Sequence, residues 1–174
     1  MMDINIYEII GYIGVIFSII SFSSHKTKNI RAYGILAITF FMISVYGNGG
    51  MNGAFVSLVS LVVKILAYFV EETKLRSLKI ITPFIAVFFY LVINEEGIIG
   101  ILPAIALVIT AFADLQREPI RMKEIYVLAL IPWLIYAINL ESTSAILYEA
   151  LGIVILLYTI YVLKNKKTKK GIEK

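Results

Sequence analysis

Apolar residues run along this chain in seven long blocks, separated by short polar or charged stretches. The blocks lie at about 7–23, 32–48, 51–70, 78–94, 98–114, 123–140 and 143–163. A helix needs about 20 apolar residues to cross a bilayer, so the pattern predicts seven membrane-spanning helices. Spans two and three are joined by "GNGG", four and five by "NEEG", six and seven by "NLES". Links this short make each pair antiparallel neighbours. Within the blocks, small and polar residues recur at spacings of three and four, which puts them on one helix face. Span one carries Gly11, Gly14, Ser18 and Ser21, span two Gly34, Ala37, Phe41 and Ser44, and span three Gly53, Ser57, Ser60 and Lys64. Span five carries Gly100, Pro103, Leu107 and Thr110, and span seven Ala145, Glu149 and Gly152. In lipid such stripes face protein or a cavity. Span four, "LKIITPFIAVFFYLVI", lacks a stripe and reads as a peripheral linker.

Composition agrees with this placement. The chain has 174 residues, 60% of them hydrophobic, against about 45–50% in soluble domains. The basic residues concentrate in alternate connections. Lys26, Lys28 and Arg31 fall in the first, Lys74, Arg76 and Lys79 in the third, Arg117, Arg121 and Lys123 in the fifth, and the tail is "KNKKTKKGIEK". The other connections hold only Glu95, Glu96 and Glu141. Positive loops stay on the cytoplasmic side, so the expected orientation is N-terminus outside and C-terminus inside. The same distribution accounts for the net charge of +4 without a nucleic-acid partner. The start, "MMDINIYE", is acidic where a secretory signal begins basic, so the first block is expected to remain as a helix.

The chain also repeats itself. Shifted by 89 residues, Ile9-Ile10-Gly11 falls on Ile98-Ile99-Gly100 and Ser21 on Thr110. One slip in the next loop puts Ile30-Arg31 on Ile120-Arg121 and Val45-Tyr46 on Ile135-Tyr136, and a second puts Ala54 on Ala145. Span boundaries, loop charge signs and short turns repeat with them. The expected fold is therefore an all-α polytopic membrane protein of two parallel three-helix repeats. The repeats cover residues 1–73 and 97–164, a linker helix covers 74–96, and a basic tail covers 165–174. A three-helix unit ends on the face opposite its start, so the extra helix is what makes the two units parallel. Parallel repeats of this kind form one transporter architecture, with the site between the halves near mid-membrane.

Candidate site residues follow from depth. Glu149 lies six residues inside span seven, ~9 Å down at 1.5 Å per residue. A carboxylate there is costly unless solvated, paired or protonated. Its readings are a partner for a solute cation or hydroxyl or a proton site, and, structurally, an acid reaching to outer-leaflet water or bonded to Tyr or Ser neighbours. Ser57 and Ser60 share the inward stripe of span three, and Trp133 offers either a stacking surface for a ligand or core packing. Pro103 and Pro132 lie inside spans five and six, where proline frees carbonyls and kinks a helix, and are the candidate hinges. Lys64, near the end of span three, reads as snorkelling to the interface. Tyr46 and Tyr136 read as interfacial anchors, and Asn48, Asn52 and Asn139 as wet rim residues. No phosphate-cradling GxxxxGK[ST] and no HExxH occur, there is no Cys, and the single His25 lies in a loop. No enzyme, cofactor or metal is expected.

The stretches "ILPAIALVITAFADLQREPIRM", "IPWLIYAI" and "ILYEALG", with "GYIGVIFSIISF" and "GNGGMNGA" earlier, resemble the YgjV-like bacterial inner-membrane proteins over most of the chain. Glu149 falls at that family's acid in the last helix, and Leu102-Pro103 on its Leu-Pro pair. At greater distance the family is similar to the SWEET sugar exporters and the bacterial nicotinamide-riboside transporters, which share a 3+1+3 plan. That likeness implies facilitated diffusion by rocking of two three-helix units. It departs at the prolines, which SWEET proteins carry in the first two helices of both units. Here Gly14 and Met42 occupy the aligned places of the first unit. The central Asn pair of the sugar site has no counterpart; Ser57 or Ser60 and Glu149 occupy the nearest regions. The expectation is a small-solute facilitative carrier with Glu149, Ser57, Ser60 and Trp133 on its path. A non-transporting scaffold, partner subunit or sensor of the same fold is the alternative. The expected partners are the bilayer and an unidentified solute, with a homo-oligomer left open.

Overall fold

Asn5 starts the first helix by accepting a hydrogen bond from the Tyr7 N–H at 3.0 Å, which satisfies one of the donors a helix start leaves free. That helix is α1 (Ile6–Ser23), followed by α2 (Thr27–Gly47), α3 (Met51–Phe69), α4 (Ile101–Asp114), α5 (Pro119–Asn139) and α6 (Thr143–Ile172). Proline opens α5, where its missing N–H costs nothing. Gly49, with φ +86°, makes the turn between α2 and α3, a conformation that favours glycine. This computed structural model describes residues 5–69, 81, 83–85, 87, 88, 91, 92, 96–114, 116 and 118–172, with side chains to residue 165. The expected fourth span, 78–94, lies largely outside the described residues; those of it that are described between 81 and 92 are helical. Lys74, Arg76, Lys79 and Arg117 also lie outside them.

Each helix packs on the next, α1 on α2 through to α5 on α6, and α6 returns to α1. The six helices therefore form a closed ring. Connections of three or four residues make α1–α2, α2–α3, α4–α5 and α5–α6 antiparallel. The ring has a basic end, with the α1–α2 and α4–α5 loops, and an opposite end, with the α2–α3 and α5–α6 turns.

The exterior is apolar as well as the core, and several polar groups lie inside. Ile16, Leu58, Val62, Ile131, Val154 and Leu157 face outward, while Ser18, Ser57, Lys64, Asp114, Lys123 and Glu149 are buried. An apolar belt around a core that encloses polar groups fits a lipid surrounding. Among the described residues five helices, α1, α2, α3, α5 and α6, are long and apolar enough to cross a membrane. α4 has 14 residues, ~21 Å of helix, because residues 97–100 form a turn before it.

The stripes read from the sequence face the interior. Gly11, Gly14, Ser18 and Ser21 of α1 are buried, as are Gly34, Ala37, Phe41 and Ser44 of α2 and Gly53, Ser57, Ser60 and Lys64 of α3. Ala145, Glu149 and Gly152 of α6 are buried too. Gly11 shows why one position must be small: a Cβ there would meet the Ser44 hydroxyl at 2.6 Å and collide with Ser144.

Several expectations are corrected. Lys64 does not snorkel: it is 7% exposed and bonded inside the ring. Lys123, counted with the loop charges, is fully buried on α5. Tyr136 is no interfacial anchor; it is buried, and its hydroxyl accepts from the Gly53 N–H at 3.2 Å. Asn52 is buried rather than wet. Pro103 does not interrupt a helix interior, because α4 starts at Ile101 and the first turn has no internal N–H bond to lose. Pro132 does lie inside α5.

Candidate functional site

The ring closes at both ends through polar contacts that cross it. At the opposite end, Glu8 of α1 accepts from the Ser144 N–H at 2.6 Å and from the Ser142 hydroxyl at 2.8 Å. A carboxylate at the start of α6 answers its free N–H groups and the positive end of its dipole. Asn48 joins the cluster, donating to Glu8 at 3.0 Å and Ser142 at 3.2 Å. Ser44 meets Ser144 at 3.1 Å, hydroxyl to hydroxyl. Glu96, just before α4, accepts from the Asn52 N–H at the start of α3 at 3.2 Å.

The basic end uses cations on helix C-termini, the reciprocal arrangement. Arg31 of α2 donates to the Ala67 carbonyl of α3 at 3.1 Å and to the Asp114 carbonyl of α4 at 2.7 Å. Lys123 of α5 and Thr159 of α6 both donate to the Phe22 carbonyl near the end of α1. Between them sits a buried ionic group. Lys64 of α3 donates to the Tyr126 hydroxyl at 2.7 Å and lies 3.4 Å from Asp114 Oδ2, while Tyr126 donates to Asp114 Oδ1 at 2.5 Å. Each charge of the pair is thus answered inside the protein.

A cavity lies between the two ends. All six helices line it: α1 through Ser21, α2 through Phe41, α3 through Ser57, Ser60 and Lys64, α4 through Thr110, α5 through Tyr126 and Trp133, and α6 through Tyr148 and Glu149. Aromatic rings form one wall, with Phe41 edge-on to Trp133 at 5.3 Å and against Tyr148 at 4.6 Å. The structure thus brings Glu149, Ser57, Ser60 and Trp133 to a single space, and Pro132 precedes Trp133 in α5. Pro103 lies outside its lining. The volume is about 50 Å³, room for a few water molecules and far below the ~300–1,000 Å³ of ordinary ligand pockets.

Two atoms in this cavity are anomalous. Glu149 Oε2 and Ser57 Oγ are both buried and have no hydrogen-bond partner among the described residues. Unmade buried bonds cost roughly 1–3 kcal/mol each, more for a charged group. The two residues come from α3 and α6, on opposite sides of the ring.

Sequence reasoning missed Asp114, Tyr126, Arg31 and Glu8 as partners. Asp114 closes an apolar block beside a basic loop and looks interfacial by position. The signal available for Glu8 was an acid in the first turn of an apolar helix.

A family model described as a bacterial inner membrane protein, Imp-YgjV, matches residues 5–167. No curated protein matches the chain, and no solved structure does.

Proposed function

This chain belongs to the Imp-YgjV family of bacterial inner membrane proteins, and we propose that it is a small-solute facilitative carrier that works by rocking two three-helix units. The observation that carries this reading is the pair Glu149 and Ser57. They leave unspent polar atoms in a central cavity, one on each proposed unit.

The proposed units are residues 1–73, containing α1 to α3, and 97–164, containing α4 to α6 up to its basic extension. Residues 74–96 are the linker. The pattern of crossing contacts supports this division. Glu8, before Ile9-Ile10-Gly11, binds the start of the third helix of the other unit, and Glu96, before Ile98-Ile99-Gly100, does the same in return. Arg31 opens the second helix of one unit and binds the end of the first helix of the other, as Lys123 does in reverse. The pairs lie within one or two residues of the sequence register, and this near-correspondence supports the reading of two parallel units.

With both ends tied and about 50 Å³ inside, this form is the occluded one. Opening the opposite end breaks the Glu8 and Ser44–Ser144 contacts, and opening the basic end breaks those of Arg31 and Lys123. Solute binding from either side shifts the population between the open forms. Pro132 is the proposed hinge. The basic end is placed in the cytoplasm, since Lys26, Lys28 and Arg121 lie there.

The small cavity favours a second reading, a non-transporting membrane scaffold with a packed interior. Thiol labelling separates the two. The native chain has no Cys, so Ser57→Cys or Ser60→Cys supplies a single thiol. A carrier exposes it to water-soluble reagents; a packed scaffold leaves both positions unreactive in the folded protein.

A further inference from the structure

The charge balance of the cavity identifies what it lacks. Among the described residues its charged lining groups are Lys64 and Glu149. Lys64 is matched by Asp114 and Tyr126. Glu149, 1% exposed, makes no ion pair among the described residues, and its Oε2 has no hydrogen bond to them. A lone carboxylate within a bilayer is costly unless a positive charge reaches it. Across the cavity, the Ser57 oxygen is likewise unpartnered.

The rest of the lining narrows the class of ligand. The Phe41 ring meets Trp133 at 5.3 Å and Tyr148 at 4.6 Å, and aromatic faces attract cations while repelling anions. A polyol would need many hydrogen-bonding groups, yet the Ser21 hydroxyl is already donated to the Ile30 carbonyl at 2.7 Å. A divalent metal would want several carboxylates, and the cavity lining offers one. Resting on the carrier reading, we infer that the cavity takes a small organic ammonium ion, with Glu149 as its charge partner and a proton as its competitor.

The exchange balances. In the empty site the proton sits on the Glu149 carboxyl. When the ammonium ion enters, the O–H bond breaks heterolytically, the proton leaves to water and the carboxylate pairs with the cation. The other titratable groups lining the cavity are Lys64 from α3, Tyr126 from α5 and Tyr148 from α6. α1, α2 and α4 contribute none to the lining, although Asp114 of α4 and Arg31 of α2 lie behind Lys64. Lys64 is seven residues beyond Ser57 along α3, roughly 10 Å deeper, and remains held by its own partners. Only the occupied form carries the carboxylate, so affinity rises with pH. The apparent Kd tightens about tenfold per pH unit while the empty site is protonated.

The test uses the full-length protein in detergent with methylammonium, tetramethylammonium and choline as probes, and glycerol, glucose and acetate as neutral and anionic controls. Binding is read by thermal shift, and proton release by an indicator dye in weak buffer. The ammonium probes are expected to raise the Tm and release up to one proton per site. Glu149→Gln is expected to weaken binding about a hundredfold and abolish proton release, while Glu149→Asp keeps both. Ammonium binding that survives Glu149→Gln, or that releases no proton across the pH range, overturns the inference. So does binding by the neutral or anionic controls alone, or by no probe at all. Labelling of Ser57→Cys tells which reading has failed. A reactive thiol with no ammonium binding removes the ligand class and leaves the carrier; an unreactive thiol removes both.

Discussion

Replacing Asp114 with Asn takes one charge out of a pair held away from water. Asp114 is 1% exposed and Lys64 7%, with Nζ 3.4 Å from Oδ2 and the Tyr126 hydroxyl 2.5 Å from Oδ1. Asn keeps the size of the side chain and an acceptor for Tyr126, so the packing survives and the charge alone goes. Lys64 is then a buried ammonium with only the Tyr126 hydroxyl to answer it. Breaking a buried pair in this way costs ~3–5 kcal/mol. For a chain of 174 residues, each kcal/mol moves Tm by about 2–4 °C, so the expected fall is roughly 6–20 °C. Lys64→Met alone should also destabilise, by stranding Asp114. The double variant leaves no unpaired buried charge and should be more stable than either single one. Thermal denaturation of the detergent-purified proteins, followed by fluorescence of the single Trp133, measures all four. Losses that simply add, or an Asp114→Asn variant within ~0.5 kcal/mol of the parent, would refute the buried pair and return Lys64 to the membrane surface.

Glu8→Gln removes the charged cap from α6 while keeping its shape, and should cost about 1 kcal/mol; an unchanged Tm would show that the Ser144 contact contributes nothing. Gly11→Ala drives a methyl group against Ser44 and Ser144 and should cost ~1–3 kcal/mol through overpacking; a neutral effect in the same thermal assay would contradict the close approach of α1 and α6. Pro132→Ala should leave the Tm equal or higher but slow the labelling of Ser57→Cys, because the hinge stiffens; an unchanged labelling rate removes Pro132 from the motion.

The inward faces were legible in the sequence because they depend on one variable, residue size, repeated at helical spacing. Gly11, Gly14, Ser18 and Ser21 could be placed on a common face without knowing what they touch. Glu149 was legible because depth along an apolar block is a linear count. What escaped the sequence were partnerships across the ring. Asp114 and Lys123 each lie at a block's end, where a charge ordinarily meets water, and only the packing of α4 and α5 against their neighbours encloses them. Tyr46 and Tyr136 show the same limit: both lie near a block's outer end, yet Tyr46 faces outward and Tyr136 faces α3. Depth was readable from the count of residues; direction around the helix axis was set by neighbours far away in sequence.

The measurement that bears most directly on the carrier reading is a pair of distances across the ring. Spin labels at Tyr46 and Ile138 mark α2 and α5 at the opposite end, and labels at Lys28 and Arg121 mark them at the basic end; all four residues are exposed. With no native Cys, Cys substitution labels each pair alone, in liposomes, with and without a binding solute. Alternating access predicts two populations at each end, moving in opposite senses: where the Tyr46–Ile138 distance lengthens, the Lys28–Arg121 distance shortens. A single narrow distance at both ends, unmoved by any solute that binds, would contradict the rocking motion and leave a static membrane scaffold.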